Sequence, residues 1–241
     1  TDLVITASMK QTAWPVKVKT DGHGSLNVKR MQVGGGVIAS GATKDVAQLA
    51  RRAQIPVATT LMGLGAFPET DPLSLRMAGM HGTAAANYAV NSADLIIALG
   101  ARFSDRVTGK LSAYAKKAKI VHVDCDPASI GKNVRVALGI VADVKDVITT
   151  VLSRVKPATH EPWLAQIEQW KKERPMTYRI QHPNVIMPQQ VLETIDRVTN
   201  GEAILATDVG QHQMWAAQYF RHTHHRHFLS SGGMGTMGFA I

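Results

Sequence analysis

Aromatic residues are scarce in this 241-residue chain: four tryptophans, four tyrosines and five phenylalanines, 5% in all. With so few rings and no basic stripe between them, the chain lacks the stacking surface of a nucleic-acid binder, despite a formal charge of +9. The scattered basic residues suit small anionic ligands equally well, so no nucleic-acid partner is expected. Cysteine is nearly absent. The single Cys125 rules out a disulfide framework and suits a reducing compartment. No apolar run approaches the roughly 20 residues of a membrane span. The N-terminus has no basic-then-apolar signal pattern. A cytoplasmic protein is expected, or one of an organelle's stroma or matrix in a eukaryote, with no membrane partner.

What is present is a globular composition, 45% hydrophobic and 19% charged, enough for a sizeable core. Residues 1–30 show no clear period and Thr20–Ser25 reads as a loop, so this stretch is expected to be a linker or an entering arm. From Met31 strands and helices alternate. Thr43 is a plausible N-cap for a helix carrying Val46, Leu49, Ala50 and Ala53 on one face. Strands are expected at Pro56–Thr60, Asp94–Gly100, Lys119–Asp126 and Val136–Ala142. A helix comes next at Val144–Val155, with Val147, Ile148, Val151 and Val155 facing inward. Between them Leu61–Gly82 is irregular, too long and too apolar for an idle loop. This spacing implies right-handed crossovers and a parallel sheet whose carboxyl edge takes ligands.

Residues 156–185 read as a connector with one amphipathic helix around Trp163–Lys172. A second βα pattern then begins: helix Pro188–Thr199, strand Ala203–Thr207, helix Gln211–Phe220 and strand Phe228–Ser231. Gly232–Gly238 is expected to start another helix.

Several motifs sit just past strand ends. Arg102 and Arg106 come after the buried strand at Asp94–Gly100, where arginine's planar, bidentate donors suit phosphates and carboxylates. The alternative is a pair of surface charges neutralised by Asp105. Gly34-Gly35-Gly36 allow either a tight turn or close approach of backbone to a phosphate at a helix start. Asp124 and Asp143 each end a strand; each either accepts from a ligand hydroxyl or caps the next element of the chain. Gly210-Gln211-His212 open a helix directly after a strand, where backbone N–H groups and the helix dipole attract a diphosphate. Met80-His81 is open between ligand contact and core filling. The run Arg221–His227 lacks the separated ligand pairs of a zinc site and reads as a solvated loop. Cys125, in a strand, reads as an inert core thiol.

Taken in order, Val33–Val37, Thr60–Gly65, Gly79–Gly82, Arg102–Lys110, Lys119–Asp126, Asp208–Trp215 and Ser230–Phe239 resemble the catalytic subunit of the acetohydroxyacid synthase (acetolactate synthase) family. The resemblance covers Met31–Ile241. It implies an α/β architecture: a parallel-sheet, Rossmann-like central FAD domain at 31–155, then the first part of a thiamine-diphosphate-binding α/β domain at 186–241. Flavin contacts are implied for Gly34, Gly35, Gly36, Thr60, Leu61, Met62, Gly79, Met80, His81, Gly100, Arg102, Arg106, Val107, Asp124, Asp143 and Val144. Val209, Gly210, Gln211 and His212 are implied to hold the diphosphate. Gly235 and Met237 meet the cofactor rings, with Met237 as an apolar wedge. Arg106 also orients the carboxylate of the second 2-keto acid.

The activity implied is joining a two-carbon unit from decarboxylated pyruvate to a second 2-keto acid. The products are acetolactate or acetohydroxybutyrate, for branched-chain amino-acid synthesis. FAD is implied as chiefly structural. Magnesium is also implied, its ligands lying outside this chain along with the activating glutamate, so this stretch alone is expected to be inactive. A homodimer or higher oligomer, with or without a regulatory small subunit, is implied as well. One departure stands out. The family's arginine loop reads Arg-Phe-Asp-Asp-Arg, and here Ser104 replaces the first aspartate. Rival expectations are another thiamine-diphosphate enzyme, of the glyoxylate carboligase or pyruvate oxidase type, and a non-catalytic nucleotide-binding module.

Overall fold

A computed structural model describes residues 4–5, 16–17, 30–180, 182 and 184–241. Strands β1 (Val4–Ile5) and β2 (Val16–Lys17) pair antiparallel. The rest of the expected arm at 1–30, with its Thr20–Ser25 loop, lies outside the described residues apart from Arg30.

The larger unit comprises β3 (Arg30–Val33), α1 (Gly35–Ala39), α2 (Thr43–Ala53), β4 (Val57–Thr59), β5 (Ser74–Met77), α3 (Ala84–Ser92), β6 (Leu95–Leu99), α4 (Asp105–Thr108), β7 (Lys119–Asp124), β8 (Leu138–Val141) and α5 (Val144–Leu152). All six strands β3–β8 run parallel, in the order β5-β4-β3-β6-β7-β8. Each β-strand alternates its side chains between the two faces of the sheet. On one face Met31, Val33 and Val57 pack with α1, α2 and α5. On the other, Ala58, Ile96, Ala98 and Ile120 lie in two clusters with residues of α3 and its neighbours. Chain order reverses between β3 and β6, and the carboxyl ends of those strands diverge into separate loops. That place is where ligands enter open α/β sheets.

Local chemistry explains most boundaries. In α2 the buried residues Val46, Ala47, Leu49, Ala50 and Ala53 form one stripe, and Gln54 ends the helix in the left-handed region at φ 51°. Thr83 caps α3 with its Oγ1 accepting from the Ala86 N–H at 3.1 Å. The alanines of α3 leave room for α6 (Glu161–Glu173), whose Trp170 meets Tyr88 edge-on at 5.7 Å.

A second, smaller unit comprises α7 (Pro188–Val198), β9 (Leu205–Thr207), α8 (Gln211–Tyr219) and β10 (Phe228–Ser230), with β9 and β10 parallel. Ala216, Ala217 and Phe228 pack with Leu64 and Met77 of the first unit. Tyr178, in the connector, donates to Glu193 Oε2 at 2.7 Å, which pushes its phenol pKa up to about 12.

Several expectations are corrected. Thr43 is the first residue of α2, not its cap; Ala42 precedes it with no side-chain bond. The irregular Leu61–Gly82 stretch contains β5, hidden by its flanking glycines and prolines. Leu152, not Val151, joins Ile148 in the core face of α5. Cys125 lies just past β7 and is exposed, not a core thiol. Gly232–Gly238 forms turns instead of a helix start.

Candidate functional site

The loops leaving β3, β4, β5, β6 and β7 are laced together at one edge of the sheet. Gly34 N–H donates to the Leu99 carbonyl, Thr60 N–H to Val33 and Gly100 N–H to Val123, all at 2.8–2.9 Å. A Cβ on Gly34 would overlap the carbonyl of Gly100, and one on Gly36 would sit 2.8 Å from its Cα. Gly100 itself stands at φ +57°, a conformation that favours glycine. These glycines therefore let two loop backbones touch at the point where strand order reverses. Likewise Gly79, at φ +106°, leaves no room for a Cβ beside the Arg106 carbonyl, which accepts from Met80 N–H at 2.8 Å.

Onto this floor the edge presents cations and thioethers. Phe103, 2% exposed, is buried edge-on to His122 with ring centroids 5.0 Å apart, and so pins the arginine loop. Arg102 is exposed and has no ion pair among the described residues. Arg106 lies 3.8 Å from Asp105, both side chains more than two-thirds exposed, so that contact neutralises it weakly. Met62 and Met80 are 39% and 61% exposed on the same edge, which overturns core filling for Met80. An exposed apolar platform beside guanidinium groups that are at most weakly neutralised suits a flat ring carrying phosphates.

The two strand-end acids part company. Asp143 caps α5, accepting from Lys145 N–H at 2.7 Å, with Val144 next to it. Asp124 caps no helix; its Oδ1 accepts from Asp126 N–H at 3.0 Å within a turn.

In the second unit, Val209 leads into Gly210, the N-cap of α8, which offers no side chain to the first-turn N–H groups of Gln211, His212 and Gln213. Uncapped first-turn donors with an outward dipole attract an anion. Asp208 accepts from Gly238 N–H at 2.8 Å and Ala240 N–H at 2.9 Å, and those bonds, Ala240's first, hold its carboxyl below the usual range. It thereby ties the turn bearing Gly235 and the 69%-exposed Met237 beside the start of α8. A Cβ on Gly232 would run into the Met62 sulfur, so the two edges meet.

Sequence reasoning missed Asp208, although it stands directly after β9. It also missed Asn87, whose amide both accepts from Gly79 N–H and donates to Gly79's carbonyl at 2.9 Å. Nothing in the pattern marks a mid-helix asparagine. Within the expected solvated run 221–227, His222 is instead buried, its Nε2 3.1 Å from the Ala216 carbonyl. Burial pushes its pKa down. Among the described residues no three His, Cys, Asp or Glu side chains are grouped to hold a metal, and no helix is long and apolar enough to cross a membrane.

Residues 30–151 match the family described as "Thiamine pyrophosphate enzyme, central domain". The chain belongs to the thiamine pyrophosphate enzymes. Residues 208–241 of this family member match "Thiamine pyrophosphate enzyme, C-terminal TPP binding domain". Among curated proteins it is 50% identical over 217 residues to acetolactate synthase 1, chloroplastic, of Zea mays, covering 88% of this chain and 34% of that protein. It is 48% identical over 219 residues to the acetolactate synthase large subunit of Cyanidium caldarium, with 88% and 37% covered. Against an acetolactate synthase of Mycobacterium bovis identity is 47% over 217 residues, with 88% and 35% covered. This thiamine pyrophosphate enzyme chain thus spans about a third of the length of the curated relatives it matches.

Proposed function

We propose that the chain forms part of an acetolactate synthase, with residues 31–155 as its FAD-binding central domain, 156–185 as connector and 186–241 as the first part of its thiamine-diphosphate domain. The observation that carries this is that the chain holds two phosphate-seeking features, the Arg102–Arg106 edge and the uncapped start of α8, on two units that touch where Met62 abuts Gly232.

In this assignment Arg102 and Arg106 pair with the FAD phosphates, and Asp124 accepts from a cofactor hydroxyl. Gly34–Gly36, Thr60–Met62, Gly79–His81, Gly100, Val107, Asp143 and Val144 form the floor and walls of the flavin site. The N–H groups at Gly210–His212 hold the diphosphate, and Met237 lies against the cofactor rings. Thiamine diphosphate, when bound, supplies the carbanion chemistry that decarboxylates a 2-keto acid. The protein's part is to orient. Arg106 would also orient the carboxylate of the second 2-keto acid, so that a random encounter becomes a positioned one. Magnesium, with its ligands outside this chain, a homodimer or higher oligomer and a regulatory small subunit complete the assignment, in a cytoplasmic or organellar enzyme.

Product analysis of the full-length protein with pyruvate, FAD, magnesium and thiamine diphosphate is the test. Acetolactate is expected. Oxidative decarboxylation to acetate or acetyl phosphate instead would move the chain to the pyruvate oxidase type, and no turnover would leave a nucleotide-binding module.

A further inference from the structure

The end of α8 is held by side chains of the first unit. Arg76 Nε donates to Glu69 Oε2 at 3.0 Å, and Nη2 donates to the carbonyls of Gln218 at 2.8 Å and Phe220 at 3.4 Å. The same Glu69 oxygen accepts from His222 N–H at 3.3 Å, and Glu69 N–H donates to the His222 carbonyl at 3.1 Å. Gln218 Nε2 adds a bond to the His81 carbonyl at 2.9 Å. A cation is thus set against the negative end of the α8 dipole, where the last carbonyls have no helical partners.

The backbone of β5 is shaped to make this contact. Pairing with β4 shifts register so that Ser74 and then Arg76 face consecutive residues, leaving Leu75 extra. Such a bulge re-aims a side chain. Arg76 stands at φ +61°, a conformation non-glycine residues adopt reluctantly. Glu69 is almost completely buried, its side chain 1% exposed. General adhesion is already supplied by Leu64, Met77, Ala216, Ala217 and Phe228. Apolar contact tolerates sliding, whereas hydrogen bonds to two helix-end carbonyls fix a helix along its axis.

We propose that Arg76, backed by Glu69, is a positioning residue for thiamine diphosphate. By fixing the C-terminal end of α8 it fixes the uncapped first turn at Gly210–His212, about 13 Å away along a rigid helix, relative to the Gly79–His81 loop. The proposal rests on the cofactor assignment made above.

The test uses the full-length protein and two readouts. Calorimetric titration with thiamine diphosphate and magnesium is expected to give a Kd about tenfold higher for Arg76→Met than for wild type. Flavin content stays at the wild-type level, and Arg76→Lys recovers part of the loss. Hydrogen exchange across residues 211–222, measured without cofactor, rises about tenfold in Arg76→Met. A wild type that binds thiamine diphosphate beside an Arg76→Met of equal Kd overturns the latch while leaving the cofactor assignment standing. A wild type that fails to bind it removes the assignment and the latch with it. Should Arg76→Met not fold, Glu69→Gln carries the test, since it removes the buried charge that aims Arg76 at the α8 carbonyls. A Kd raised about threefold supports the latch; an unchanged Kd overturns it.

Discussion

The six-stranded unit and the two-stranded unit use the same βα construction and finish it differently. In the first, both sheet faces are covered, and every loop at the carboxyl edge is stitched to its neighbour. In the second, Ile186, Val198 and Ile204 are each more than 60% exposed, and Leu229 of β10 is 43% exposed. The first unit is held by its own core. The second depends on one packed face and the polar latch to the first. The difference lies in what holds each part in place: backbone interlock for the arginine edge, a neighbour's side chains for the end of α8.

The sharpest way to break the first unit is Gly100→Ala. A left-handed backbone at φ +57° and a Cβ 2.6 Å from Gly36 Cα combine strain with overlap that backbone must absorb. A loss of about 2–5 kcal/mol is expected, read as a lowered urea midpoint. A midpoint within error of wild type would show the interlock to be loose. Gly233→Ala in the second unit, with nothing within 4 Å of its Cβ, should do far less.

Arg30→Leu should move the other way. Arg30 is fully buried on the sheet face opposite Met31, with Nε and Nη2 unpartnered and only a 3.4 Å bond from Nη1 to the Ala86 carbonyl. Burial lowers its pKa to about 10. Replacing this unpaired charge with a hydrocarbon should stabilise by about 1–3 kcal/mol, seen as a higher Tm. A lower Tm would mean that Arg30 holds something together.

The smallest effect is with pH. His222 in the second unit and His122 in the first are both pushed below the ordinary 6.5 by burial. The unfolded chain then binds protons that the folded one refuses. Stability is therefore full above the histidine range and falls as pH drops through and below it. Both single Phe variants should flatten part of that decline in urea titrations from pH 7 to 5. His222→Phe should act on exchange within residues 205–230, and His122→Phe within the large sheet. Identical pH profiles for wild type and both variants would contradict the assignment.

Much of the large sheet was legible because buried parallel strands read as apolar runs closed by glycine or acid: Leu95–Leu99 before Gly100, Lys119–Asp124 before Cys125. The β5 strand was not, since the alternation of Ser74-Leu75-Arg76-Met77 lasts only four residues inside a stretch rich in glycine, proline and methionine. Glycines at 34–36 announced a turn, but only coordinates show that their missing Cβ atoms make room for another loop, not for a ligand alone. Cys125 was misjudged by extending β7 beyond Asp124. Partners distant in sequence, such as Arg76 with Gln218 or Asp208 with Ala240, leave no local signature at all.

The account stands or falls on the arginine edge gripping a phosphate-bearing cofactor. Titration of the full-length protein with FAD, followed by the absorption band near about 450 nm that the flavin supplies, tests it most directly. Tight binding is predicted for wild type, with loss in the Arg102→Ala/Arg106→Ala double variant. That variant's stability should stay within about 0.5 kcal/mol of wild type, because both guanidinium groups are exposed. Equal flavin binding by wild type and double variant, or no flavin binding by either, would contradict it.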